Sequence, residues 1–137
     1  MEERRGKPET LRLRAVMPTL TVSDIEASIR FYGDVLGFVV SDTIEKDGQI
    51  VGANVKAGLV EFLIGQDDFA KGRDCQKGVG FRLYCVTAQD IDEVAESVRS
   101  RGGTLTHEPT DQPWGSRDFG VTDPDGFTIS IASPLPT

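Results

Sequence analysis

The sequence predicts an α+β fold: two βαβββ modules in tandem, whose curved mixed sheets surround a cleft. Three observations predict it. The hydrophobic pattern reads strand, helix, three strands, and the same order returns after a polar linker. Local motifs return with it, Asp24-Ile25-Glu26 as Asp90-Ile91-Asp92 and Gly37 as Gly103, at one common offset. The stretch PWGSRDFGVTDPDGFTISI, Pro113 to Ile131, closes the second unit as a hairpin around Asp123-Pro124-Asp125-Gly126. There Pro124 pre-sets φ for a β-turn, Gly126 accepts positive φ, and Asp123 can bond backbone two residues on.

Residues 1–10, MEERRGKPET, carry charge with no hydrophobic core behind it. They are expected to be a disordered tail and not a secretory signal. The first module is assigned to 11–65. Leu11 to Val22 is expected as one strand, with Val16, Pro18, Leu20 and Val22 on one face and Ala15, Met17, Thr19 and Thr21 on the other. Pro18 is expected to put it at an edge or make it irregular there, because proline cannot donate to a ladder. A helix follows, opened by the capping-box spacing Ser23…Glu26 and closed by Gly37, with Ile25, Ile29, Tyr32 and Leu36 as its buried stripe. Phe38–Glu45, Gln49–Lys56 and Leu59–Ile64 complete the module as strands, with Glu61 facing the cleft by alternation with Val60 and Phe62.

Residues 66–78 are polar and glycine-punctuated, which reads as a linker. The second module is assigned to 79–133. Val79–Val86 is expected as a strand with Phe81, Leu83 and Cys85 toward the cleft and Tyr84 toward the helix. Ala88–Arg101 is a helix with Ile91, Val94, Ala95 and Val98 inward, stopped by Gly102-Gly103. Thr104–His107 is a short strand and Glu108–Pro113 a loop. His107, the only histidine, is expected at the surface. In the closing hairpin, Phe119, Val121, Phe127, Ile129 and Ile131 make the apolar face, and Asp118, Gly120, Thr122, Thr128 and Ser130 the mixed one. Residues 134–137 form a C-terminal tail.

Composition narrows the classes of function. A net charge of −7 argues against nucleic acid or an anionic membrane as partner, since either needs a basic face. No apolar run approaches the length of a membrane span. Cys75 and Cys85 lie in unlike contexts without metal-ligand spacing, which suits a reduced, cytoplasmic protein. Modules of about 55 residues cannot each bury their sheets fully, so they must pack side by side or exchange between two chains.

TVSDIEASIRFYGDVLGF, the repeated βαβββ order, PWGSRDF and DPDGF together resemble the vicinal-oxygen-chelate superfamily, the group of glyoxalases, extradiol dioxygenases and bleomycin-resistance proteins. The likeness covers about residues 11 to 133 and is closest to the bleomycin-resistance, drug-binding branch. It implies a homodimer with ligand clefts formed by both chains. It also implies four metal-ligand positions in the enzymes of the group, which fall here on Met17, Glu61, Phe81 and Ser130. A catalytic site of this kind needs about three N or O donors with one position open. One carboxylate cannot supply that, and a one-residue slip brings only Val16, Pro18, Gly80, Arg82, Ile129 and Ile131. No metal and no cofactor are therefore expected.

The reading is a non-metal binding protein that sequesters a planar, antibiotic-like compound, for which a cationic group is compatible with the acidic balance. Trp114 and Phe81 are expected to stack on it. Met17 and Ser130 line the cleft, and Glu61 and Asp118 accept hydrogen bonds. The alternatives are a metal-dependent lyase, isomerase or dioxygenase of the same fold, and a closed cleft that serves only assembly.

Overall fold

The computed structural model describes residues 10–136; the tail expected at 1–10 lies, but for Thr10, outside them. Strand β1 spans Thr19–Val22 and helix α1 spans Ile25–Arg30. Strands β2 (Val39–Lys46), β3 (Gln49–Ala57) and β4 (Val60–Gln66) follow. Then come β5 (Arg82–Val86), α2 (Ile91–Ser100), β6 (Leu105–Asp111), β7 (Ser116–Thr122) and β8 (Thr128–Pro134). The strands form two four-stranded sheets of the same order, β1-β4-β3-β2 and β5-β8-β7-β6. Each is mixed: β1 runs parallel to β4, β5 runs parallel to β8, and the remaining pairs are antiparallel.

One apolar core serves both sheets. It joins Leu20, Val55, Phe62 and Ile64 of the first to Phe119, Val121 and Ile129 of the second, with Ile25 and Tyr32 from the first helical segment and Ile91, Ala95 and Val98 from α2. Tyr32 meets Phe31, Phe38 and Phe62 edge-on at 5.2 to 6.0 Å between ring centroids. The other face of each sheet has no helix on it. Among the described residues no helix is long and apolar enough to cross a membrane.

Several elements differ from expectation. β1 is four residues long and does not extend back to Leu11. Only Leu20 and Val22 have a core to reach. The last backbone link before them is Leu63 N–H to the Pro18 carbonyl at 2.8 Å, and Val16 is 80% exposed. The cap of α1 is Asp24, which accepts from Ala27 N at 3.2 Å, and not Ser23. The helix then widens into a π-helical turn over Phe31–Val35, with Leu36 N–H donating to Phe31 O at 3.0 Å. β6 continues to Asp111, through residues expected as a loop, and carries Pro109 on an edge strand at a register shift of its ladder with β7. β5 presents the opposite faces from those expected. Leu83 and Cys85 pack on the core, while Tyr84 stands on the open side. Burial pushes the Cys85 thiol up.

The two modules are latched at the first helix. Tyr32 hydroxyl donates to Asp123 Oδ2 at 2.8 Å, and Asp123 Oδ1 accepts from Asp125 N at 2.9 Å and Phe127 N at 2.8 Å. Burial raises the Asp123 carboxyl, opposed by these three bonds, and burial together with Asp123 drives the Tyr32 phenol far up. Both Asp125 oxygens accept from Ser23 N at 3.1 Å. Arg101 donates from Nε to Val35 O at 2.9 Å and from Nη2 to Leu36 O at 3.2 Å. A carboxylate at the start of the helical segment and a guanidinium at its end both oppose the helix dipole.

Tyr32→Phe keeps the ring and deletes the donor. It is expected to lower stability by about 1–3 kcal/mol in denaturant unfolding, the range for a buried bond to a charged group. Ser28 is also fully buried, yet its hydroxyl has no partner, so Ser28→Ala is expected to leave stability unchanged or raise it. A loss for Ser28→Ala as large as that for Tyr32→Phe would contradict both assignments.

On the surface Arg117 forks between Asp92, at 2.9 and 3.0 Å, and Asp111, at 2.9 Å. The guanidinium holds the Asp92 carboxyl below the usual range. A depressed carboxyl stabilises above its unfolded value and loses that contribution as pH falls through the folded one. Asp92→Asn is therefore expected to lower the melting temperature at neutral pH, with wild type and variant converging in acid.

Candidate functional site

The richest polar grouping stands on the open face of the second sheet. Alternation along β7 puts Ser116, Asp118 and Gly120 on that face, and pairing across β8 puts Ser130 beside Gly120 and next to Tyr84. A β-bulge in β6 adds His107. Leu105 pairs with Val121 but His107 with Gly120, so the strand gains a residue and the histidine turns to the open side. Thr106 shares that side and meets the Thr122 hydroxyl at 2.7 Å.

Two hydrogen-bonded groups result. Asp118 Oδ1 lies 2.9 Å from His107 Nε2 and accepts from Gln112 Nε2 at 2.9 Å. The Asp118 side chain is 4% exposed and the His107 ring 34%. The second group is a chain: Trp114 Nε1 donates to Tyr84 Oη at 3.2 Å, and Tyr84 Oη lies 2.6 Å from Ser116 Oγ. In the bond to Ser116 either hydroxyl can be the donor. Gly115, at φ 93°, turns the loop that presents Gln112 to one group and Trp114 to the other. Trp114 is 64% exposed and Tyr84 44%, an aromatic ledge open to a ligand.

The remaining expected residues fall as follows. Glu61 is on the open face of the first sheet, where Oε1 accepts from Asn54 Nδ2 at 2.8 Å. It also lines a hollow of about 250 Å³ with Val16, Pro18, Tyr84, Cys85 and Val86, at the seam of the two modules. Met17 precedes β1 and is exposed outside that lining. Phe81 does not face the cleft. It continues the core side of β5 and meets Phe127 edge-on at 6.3 Å. Ser130 is on the open face but fully buried, and its Oγ has no partner. A larger hollow, about 490 Å³, lies apart from all of these, between residues 73–79 and the Asp125-Gly126 turn.

Of these residues, His107, Gln112 and Tyr84 were missed or misplaced by sequence reasoning. Alternation alone cannot register a bulge, and the inversion of β5 exchanged Tyr84 for Phe81. Among the described residues no three His, Cys, Asp or Glu side chains converge. Met17, Phe81 and Ser130 leave Glu61 as the single carboxylate of the four positions to which the resemblance assigns metal ligands, too few donors to fit a catalytic ion.

Paired βαβββ modules with two helix-free sheet faces define a class of protein. The chain belongs to the Glyoxalase/Bleomycin resistance protein/Dioxygenase superfamily, whose family model matches residues 13–131. It is 30% identical over 127 residues to a bleomycin resistance protein of Geobacillus stearothermophilus, covering 84% of this chain and 92% of that one. A putative lactoylglutathione lyase of Brassica oleracea var. gemmifera is 36% identical over 61 residues, which is 44% of this chain but only 22% of the plant protein. Among solved structures, the fold is similar to TnmS3, an antibiotic binding protein from Streptomyces sp. CB03234. The TM-score is 0.69 at 24% identity, covering 90% of this chain and 98% of that one.

Gly120 is the footing of the polar group: a Cβ there would stand 2.5 Å from His107 Nδ1 and 2.7 Å from Cε1. Gly120→Ala is expected to lift the ring from Asp118 at a cost of about 1 kcal/mol. The imidazole proton resonances of the single histidine report it, and unchanged resonances would rule out this seating.

Proposed function

We propose that the protein captures a small planar, antibiotic-like molecule by equilibrium binding, without metal chemistry, in clefts closed by a second copy of the chain. The observation that carries this is the ledge of Trp114 and Tyr84, exposed but held by hydrogen bonds, beside a polar group built on Asp118. Flat rings stack on such a ledge. Tyr84 takes the stacking role assigned to Phe81. Glu61 keeps Oε2 without a donor among the described residues and suits a cationic group on the ligand. Sequestration is also the reading supported by the 30% identity to a bleomycin resistance protein.

Two features favour the homodimer. A hollow of about 250 Å³ is below the ~300–1,000 Å³ of ordinary ligand pockets. The open faces also expose Val39 and Ile44 on the first sheet and Val86 on the second, beside the ledge. A second copy laid on these faces would deepen the hollow and cover the apolar residues.

Thermal-shift and fluorescence titration with bleomycin and planar acridine dyes test the proposal, with light scattering for the dimer. The only tryptophan is Trp114, so stacking is expected to quench the protein's indole emission directly. Trp114→Ala is expected to weaken binding about 30-fold, the effect of a central aromatic anchor. The reading fails if no planar compound stabilises or quenches the protein. It also fails if the purified protein carries one equivalent of a divalent metal that Glu61→Ala removes.

A further inference from the structure

We infer that the end of the open face around Arg82 is an anion subsite: the ligand stacked on the ledge carries an acidic group of the carboxylate class, which this guanidinium holds. The inference rests on the reading of this face as a binding surface and adds the chemistry of one end of the ligand.

Strand register builds the subsite. Leu83 and Cys85 turn to the core, so Arg82 and Tyr84 share the open side of β5. Arg82 pairs with Thr128 of β8, and Thr128 pairs with Thr122 of β7. The Thr122 hydroxyl meets that of Thr106 on β6 at 2.7 Å. One guanidinium and three hydroxyls thus form a row across all four strands. The row lies two residues from Tyr84, roughly 7 Å along β5, which is within the span of a ring and its substituent.

The row holds donors and no carboxylate. The ion pairs among the described residues engage Lys77, Arg99, His107 and Arg117, and not Arg82. Asp123 and Asp125, in the turn that follows Thr122, are committed to the first helical segment through Tyr32 Oη and Ser23 N. The bond between Thr106 and Thr122 uses one of their two hydroxyl hydrogens and leaves the other. Arg82 is exposed, and with Thr128, Phe81, Gly78 and Gly80 it lines a hollow of about 290 Å³. That hollow suits a substituent and not a whole ring system, since ordinary ligand pockets begin at about 300 Å³. A guanidinium presents a planar fork of N–H donors that matches the two oxygens of a carboxylate. The net charge of −7 does not decide the contact, because distant charges are screened beyond about 8 Å at physiological ionic strength.

The test uses the full chain with acridine-9-carboxylate as probe and acridine-9-carboxamide, the same ring without the charge, as control. Titration calorimetry is expected to show the carboxylate bound about tenfold tighter than the amide. Arg82→Gln is expected to abolish that preference, and Arg82→Lys, which keeps the charge but not the fork, to retain part of it. Arg30→Gln makes the same charge change on the exposed side of α1 and is expected to leave the preference intact. Melting curves check that each variant folds. Equal binding of acid and amide overturns the inference, as does a preference that survives Arg82→Gln or is lost equally in Arg30→Gln. If the amide still quenches Trp114 in that case, only the acidic end is lost; if no planar compound binds, the sequestration reading falls with it.

Discussion

The hydroxyl of Tyr32 on the carboxyl of Asp123 is the contact through which the two modules become one protein. Neither sheet can complete a core alone at this size, so the helix of the first must be fixed against the last turn of the second. Tyr32 does this from the middle of the segment, inside the aromatic cluster with Phe31, Phe38 and Phe62. Asp125 and Arg101 do it from the two ends. The DPDG turn is thus more than a hairpin tip. Asp123 closes the turn with one oxygen and grips the other module with its second, so the geometry of the turn sets the spacing of the sheets. Burying a carboxyl here is costly, and the three donors around Asp123 are what make it tolerable.

That latch has a consequence for the site. With both helical faces turned into one core, both helix-free faces are left outward. A face without a helix must end in water, a ligand or another chain. The second sheet meets this with polar groups that satisfy one another, His107–Asp118–Gln112 and Trp114–Tyr84–Ser116. Both are tied down by the turn at Gly115, so the spacing between aromatic ledge and imidazole is set by backbone and not by flexible side chains.

Much of the fold was legible because its signals are local. Asp123-Pro124-Asp125-Gly126 determines a turn from four residues, and the helix stripes need only a period of 3.6. The site was legible in part. Trp114, Glu61 and Asp118 follow from turn position and alternation. His107 does not, because the bulge in β6 depends on how β6 registers with β7, a relation between strands that no period within either one encodes. Tyr84 and Phe81 exchanged faces for a similar reason. The sequence Val79–Val86 alternates cleanly, but apolar residues stand on both faces, and only the pairing of Leu83 with buried Ile129 decides which face is inward.

Ser130 carries a packing constraint on the open face of the second sheet. Its place on the last strand is one of the four positions to which the family resemblance assigns a metal donor in related enzymes. A serine here is too short to emerge from between Gly120 and Tyr84, and it stays buried with its hydroxyl unbonded. An unmet buried hydroxyl costs about 1–3 kcal/mol, so the residue is not an optimum of stability. A long side chain there would have to share the sheet surface with the His107 ring over Gly120. The two arrangements compete for the same space: a small residue at 130 and no side chain at 120 leave room for the His107 ring, whose Nδ1–Cε1 edge rests against Gly120.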